Sequence, residues 1–237
     1  MSDHQRFAIA IDGPAAAGKS SVAKRVADAL DAVEFDTGLL YRAVTLLALR
    51  DGVSFSDEKA LAEIAGSLDL VVGTPTVEDG RRQDVWLDGR DVTWDLRSPE
   101  VDRHLSVVSA YPKVRAALLA PQRRAGQRGR VVMVGRDIGT VILPDAELKI
   151  YLDASPEERA RRRYQELAER GQEVSYNHVL SDLLRRDQLD SQRTTAPLRP
   201  APDALVLQTE GLTLDQVVER IVFEARQRLD NQMAAAR

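Results

Sequence analysis

The chain has 237 residues, is 43% hydrophobic and 30% charged, and carries a net charge of −4. That size and apolar content support a sizeable core in one domain, with or without an insertion, and exclude a disordered chain. There is no cysteine, and the histidines are His4, His104 and His178, which excludes disulfides and thiolate metal sites and argues against zinc. The acidic balance argues against polymeric nucleic acid as a partner. No apolar run is long enough to span a membrane, and the start "MSDHQR" has no apolar signal core, so a soluble cytoplasmic protein without membrane contact is expected.

In chain order, the apolar run from Phe7 to Ile11 reads as a strand, and Ser20 to Leu30 as a helix with Val22, Ala23, Val26, Ala27 and Leu30 on one face. "AVEFDTG" is a second short strand ended by a turn. Leu39 to Arg50 and Asp57 to Ser67 follow as helices, the latter with Leu61, Ile64, Ala65 and Leu68 on one side. The period then changes. "LDLVVG", "QDVWLDG" and "RDVTW" predict a small antiparallel sheet, and 67–94 is read as a β-rich insertion. Its Trp86 and Trp94 are expected to pack on apolar strand faces rather than to stack on a base. Asp102 to Gln122 is helical with an interruption at Tyr111-Pro112. "RVVMVGRD" and "AELKIYLDA" are strands, Pro156 to Arg170 and Val174 to Arg186 helices, "DALVLQT" a last strand and Leu214 to Leu229 a last helix, with "NQMAAAR" as its frayed end.

Parallel strands joined by crossover helices predict a doubly wound α/β fold of the P-loop NTPase type, with a core of 1–66 and 95–237. Ligands of such sheets gather at the carboxyl ends of the strands. Asp12, Asp36, Thr37, Arg136 and Asp137 stand at those ends. The first strand runs into "GPAAAGKSS", which matches G-x-x-x-x-G-K-[ST] through Gly13, Gly18, Lys19 and Ser20. A strand, a glycine-bounded turn and a helix start aim several backbone N–H groups into one concavity, where the helix dipole also favours an anion. Gly13, Pro14, Ala15, Ala16, Ala17, Gly18, Lys19, Ser20 and Ser21 therefore form the expected cradle for ATP, with Lys19 on the β- and γ-phosphates and the Ser20 hydroxyl on Mg2+.

The chain contains neither the D-x-x-G and N-K-x-D elements of a switch GTPase nor an L-S-G-G-Q signature. It does carry arginines in widely separated segments: Arg42, Arg115, Arg136, Arg159, Arg162, Arg163, Arg186 and Arg193. A second phosphate-bearing substrate would account for them, which points to a small-molecule kinase. A domain that only senses ATP would leave them unexplained. Arg159, Arg162 and Arg163 fall on one helical face and could close over phosphates as a lid, at about 155–171; a solvated face paired with Glu166 and Glu169 would have the same pattern. Arg186 and Asp190, one turn apart, read either as a ligand pair or as a surface ion pair.

The blocks "IDGPAAAGKS", "FDTGLLYR", "SVVSAYPKVR", "GRDIGTVILPDAELKIYLDAS", "ERARRR" and "RRDQLDSQRTTAPLRPAPDALVL" occur in this order. Together they resemble the bacterial cytidylate kinases, within the nucleoside monophosphate kinases, over about Phe7 to Leu229. "GLLYR" and the charged "EDGRRQDV" depart from the family pattern. The resemblance implies transfer of the ATP γ-phosphoryl group to CMP or dCMP by a monomer. It implies Lys19, Arg136, Arg159 and Arg163 as catalytic residues. Thr37, Arg42, Arg136, Arg186, Asp190 and Arg193 would hold the acceptor, and Ser106, Arg115 and Asp137 its base. A structural Arg115–Asp137 salt bridge is the alternative for that pair. No general base is needed, because a phosphate acceptor with a second pKa of about 6 is already largely anionic at neutral pH; a kinase of alcohols such as shikimate or gluconate would have more use for one.

Overall fold

A computed structural model describes residues 6–127, 129–169 and 171–235. Residues 1–5 with His4, Arg170 at the expected end of the arginine-rich helix, and residues 236–237 of the expected frayed end lie outside the described residues. The first elements are β1 (Phe7–Asp12), α1 (Lys19–Leu30), β2 (Val33–Asp36), α2 (Gly38–Arg50) and α3 (Glu58–Gly66). They are followed by β3 (Leu70–Gly73), β4 (Asp84–Leu87), β5 (Arg90–Asp91), α4 (Pro99–Ala110) and α5 (Pro112–Gly126). The chain continues with β6 (Arg130–Val134), β7 (Leu148–Asp153), α6 (Pro156–Glu169), α7 (Tyr176–Gln192), β8 (Leu205–Gln208) and α8 (Leu214–Ala235). Contacts divide it into two compact units, Met1–Asp36 with Gln122–Arg237, and Thr37–Pro121.

The first unit is built on a five-stranded sheet of order β2-β6-β1-β7-β8, parallel throughout. This is the expected doubly wound sheet. All six residues of β1 are buried, as a central parallel strand covered on both faces requires. Ile9 lies level with Val132 on one side and Leu148 on the other. Val22, Val26 and Leu30 of α1 share a core with Val217, Ile221 and Ala225 of α8 and with the sheet. Each large side chain buried there contributes about 1.5–3 kcal/mol. A smaller cluster joins Ala15 of the loop after β1 to Ala160 of α6 and Val179 and Leu183 of α7.

Three helices differ from their expected spans for local reasons. α4 starts at Pro99, ahead of the expected Asp102, because Ser98 caps it by accepting from the Val101 N–H at 3.3 Å and proline suits a first helical position. α7 runs on to Gln192 and so carries both Arg186 and Asp190. α8 continues to Ala235, through most of the stretch expected to fray. The break at Tyr111-Pro112 is where expected, between α4 and α5.

The second unit holds a three-stranded antiparallel sheet of order β3-β4-β5. Leu39, Ala43 and Leu46 of α2 pack with Val85, Leu87, Val92, Leu96 and Val101. The strand-rich segment 67–94 is thus the sheet of a larger unit whose helices lie on either side of it in sequence, because β4 buries its apolar face against them. Neither tryptophan meets the expectation of a packing residue: Trp86 and Trp94 are 38% and 40% exposed, and the Trp94 indole N–H donates to Asp79 Oδ2 at 2.8 Å. The charge-rich loop before β4 is organised by Arg81, which pairs with Asp79, Asp84 and Asp91 at 2.8, 2.9 and 2.6 Å.

Candidate active site

The loop following β1 is shaped by close packing as well as by its own sequence. Gly13 has φ +148°, and a Cβ there would stand 2.1 Å from the Leu152 carbonyl oxygen of β7. Only glycine fits so near a neighbouring strand. Gly18, at φ 86°, caps α1, and Ala16 holds φ 60° although it has a side chain. Lys19, the first residue of α1, is buried, and its Nζ donates to the Pro14 carbonyl at 2.7 Å. Its side chain is thus folded back onto the backbone of its own loop. Burial pushes its ammonium well below the usual lysine range. The charge of Arg136 adds to this, and Asp36, Asp12 and Asp190 oppose it.

Strand adjacency brings the next groups to the loop. β6 lies beside β1, and after β6 the chain makes one turn of π-helix, Ile138–Ile142. Asp12, at the end of β1, accepts from the Ile138 and Gly139 N–H groups at 2.8 Å each, which fixes the segment carrying Arg136 and Asp137. Ser20 donates its hydroxyl to Asp36 Oδ2 at 3.1 Å. These two oxygen ligands suit a hard divalent cation that keeps other positions for water and phosphate. Among the described residues no cluster of three or more His, Cys, Asp or Glu side chains could enclose a metal by itself.

An arginine cluster faces this corner. Arg136 Nε donates to Asp190 Oδ2 at 3.0 Å. Arg193, just past α7, lies 3.9 Å from Asp190 Oδ1 and 3.7 Å from Asp137 Oδ1, and its Nε donates to the Ala196 carbonyl. Asp190 is 6% exposed. Burial alone would raise its pKa, yet Arg136, Arg193 and Arg186 together outweigh burial and hold the carboxyl below the usual range. Asp190 is therefore the counter-ion of a positive cluster, and the reading of Arg186 and Asp190 as a solvent-exposed surface pair fails on its burial.

The arginines of α6 do not act as one face. Arg159 is buried against the Ala154 and Ala15 carbonyls and Asp187. Arg162 reaches Glu158 and both oxygens of Thr209, and Arg163, partly exposed, pairs with Glu166 at 2.9 Å. In the second unit, Thr37 and Ser106 are buried, Arg42 donates to the Leu96 carbonyl and Asp102 at 2.7 Å each, and Arg115 donates to the Ser109 carbonyl with its guanidinium 5.5 Å from the Tyr41 ring centre.

The family model for cytidylate kinase matches residues 9–227. The chain belongs to the cytidylate kinase family. A cytidylate kinase of Herpetosiphon aurantiacus is 50% identical over 90% of this chain and 92% of its own. That of Bacillus subtilis is 44% identical over 94% and 98%. Among solved structures, a gluconokinase from Sinorhizobium meliloti is similar at 14% identity and a TM-score of 0.49, over 98% of this chain and 100% of that one. Of the residues that the sequence resemblance implies, Lys19, Ser20, Arg136, Asp137, Arg159, Arg163, Arg186, Asp190 and Arg193 fall in the first unit, and Thr37, Arg42, Ser106 and Arg115 in the second. Sequence reasoning named Asp12 and Asp36 only as strand ends, and it overlooked Asp187. The signal for Asp187 was its place on the α7 face, three residues before Asp190.

Burial raises the pKa of Asp12 from 3.8 to about 6, despite its two backbone donors, with the charge of Asp137 adding and that of Lys19 opposing. Between those values the folded state keeps a proton that the unfolded state has lost, so stability falls as pH rises through this window. The shift corresponds to about 3 kcal/mol. The stability difference between wild type and Asp12→Asn, measured by urea unfolding, is expected to move in favour of the variant between pH 4 and 7; a gap independent of pH would show that Asp12 stays ionised.

Proposed function

We propose that the protein transfers the γ-phosphoryl group of ATP directly to CMP or dCMP, giving ADP and the cytidine diphosphate. The observation that carries this reading is the arginine cluster beside the loop, where Arg136 donates to Asp190 at 3.0 Å and Arg193 lies 3.9 Å from the same carboxylate and 3.7 Å from Asp137. A cation aimed at a donor phosphate and an arginine cluster suited to an acceptor phosphate share one corner of the sheet.

In this reading the backbone N–H groups of residues 15–21 and the Lys19 ammonium hold the donor phosphates. Arg163 adds charge from α6. Arg136 and Arg193, helped by Arg186, grip the acceptor phosphate, and Asp190 orients the arginines and accepts from ribose hydroxyls. Ser20, with Asp36, would hold Mg2+, which when bound supplies charge neutralisation between donor oxygens. Catalysis then consists of positioning and electrostatic stabilisation, with no base required. In this reading the protein acts on small nucleotides as a cytoplasmic monomer, and its net charge of −4 speaks against polymeric nucleic acid as a partner.

Cytosine presents an N4 donor where uracil has an acceptor, and Asp137 supplies the matching carboxylate. Release of ADP, followed by a coupled assay with each nucleoside monophosphate, is expected with CMP and dCMP; no acceptor-dependent release with any of them would favour a sensing role. Asp137→Ala is expected to lose about 1–3 kcal/mol of discrimination and so narrow the CMP to UMP ratio in kcat/KM. An unchanged ratio in a folded variant would move base selection to other residues.

A further inference from the structure

We propose that Arg159 is a positioning residue that ties the nucleotide loop to the helix bearing the acceptor arginines, through Asp187, and does not itself contact phosphate. This rests on the kinase reading above and assigns a different task to a residue whose sequence pattern suggests a lid.

Arg159 is 3% exposed, and every nitrogen of its guanidinium is engaged within the protein. Nε donates to the Ala154 carbonyl at the end of β7, at 3.0 Å, and Nη1 to the Ala15 carbonyl in the loop, at 3.2 Å. Nη2 lies 2.7 Å from Asp187 Oδ2 on α7. One planar fork thus holds three elements at once, a geometry that a lysine point charge cannot reproduce. Arg163, on the same helix, is the contrasting case: it is partly exposed and pairs with Glu166 at the surface.

The contact with Ala15 acts on the anion nest. In a planar trans peptide the C=O and the following N–H point in opposite directions. Drawing the Ala15 carbonyl onto Arg159 therefore turns the Ala16 N–H to the other side. Ala16 is the residue at φ 60°, a conformation that a residue with a side chain keeps only where its surroundings impose it. Asp187 completes the tie: it follows Arg186 directly and stands three residues before Asp190, so a displacement of the loop reaches α7 through a single charge-assisted bond.

The test compares Arg159→Met, Arg159→Lys, Asp187→Asn and the double variant Arg159→Met/Asp187→Asn. Its readouts are the Kd of a fluorescent ATP analogue without acceptor, the KM for CMP, and the melting temperature. We expect Arg159→Met to weaken both constants by about tenfold or more, within the about 10²-fold that a 1 Å misplacement costs. Asp187→Asn should move both in the same direction, the double variant should be no worse than Arg159→Met, and Arg159→Lys should not restore them. Wild-type constants for Asp187→Asn, near wild-type constants for Arg159→Lys, multiplicative losses in the double variant, or a lower melting temperature with unchanged constants would each overturn the proposal. If Arg159→Met does not fold, Asp187→Asn decides alone, since Asp187 is partly exposed. Inactivity of the wild type toward CMP would refute the kinase reading only, because the Kd of the ATP analogue still reports the tie to the loop.

Discussion

Lys19→Ala is expected to lower turnover with CMP by about 10²–10³-fold while the protein still folds. The charge that builds on the transferred phosphoryl group needs a fixed cation in a site with little water, and removing one such group costs catalysis on this scale. The ammonium is buried and its pKa is depressed, first by that burial and then by Arg136. Holding it in place therefore costs stability, and its loss to alanine removes that cost along with the bond to the Pro14 carbonyl. Lys19→Met, which keeps the apolar stem, should melt at or above the wild-type temperature with the same loss of turnover. A coupled assay of ADP release with thermal unfolding alongside checks both; turnover within threefold of wild type would remove Lys19 from the mechanism.

Asp190→Ala is expected to destabilise the protein by about 3 kcal/mol at neutral pH and to weaken acceptor binding as well. Removing one partner of a buried ion pair leaves the other charge uncompensated, at about 3–5 kcal/mol. The lower end applies here because Arg136 keeps 22% of its side chain in contact with solvent. The folded-state pKa of Asp190 lies below 3.8, so its contribution is present above the unfolded value and is lost as pH falls through the folded one. Urea unfolding across pH should show the gap between wild type and variant closing in acid. Inorganic phosphate or CMP should recover part of the loss at neutral pH, as an anion takes the place of the carboxylate among the arginines. A variant as stable as wild type at pH 7 would mean that Asp190 does not balance this cluster.

The loop was legible because its chemistry is local. Gly13, Gly18, Lys19 and Ser20 are bound to one another by a turn of fixed length, and a strand and a helix on either side confirm the setting. The antiparallel sheet was legible too, since alternation and turn residues at 67–94 are short-range signals. The exposure of Trp86 was not, because which face of β4 is buried depends on Val85 and Leu87 packing against α2, which is distant in sequence.

The sequence by itself determined the parallel α/β class, the phosphate-binding loop and, through its ordered blocks, the family. Each of these depends on spacing along the chain. Tertiary structure alone decided the state of the charges. Lys19 is depressed rather than ordinary, Asp12 is raised to about 6, and Asp190 is lowered by arginines from three places in the chain. Tertiary structure also divided "ERARRR" into a buried strut, a bond to Thr209 and a partly exposed arginine. Helical spacing gives these side chains nearly the same direction. What separates them is which carbonyl or carboxylate of another element stands within reach, and the burial and charge around each group exist only once those elements have packed.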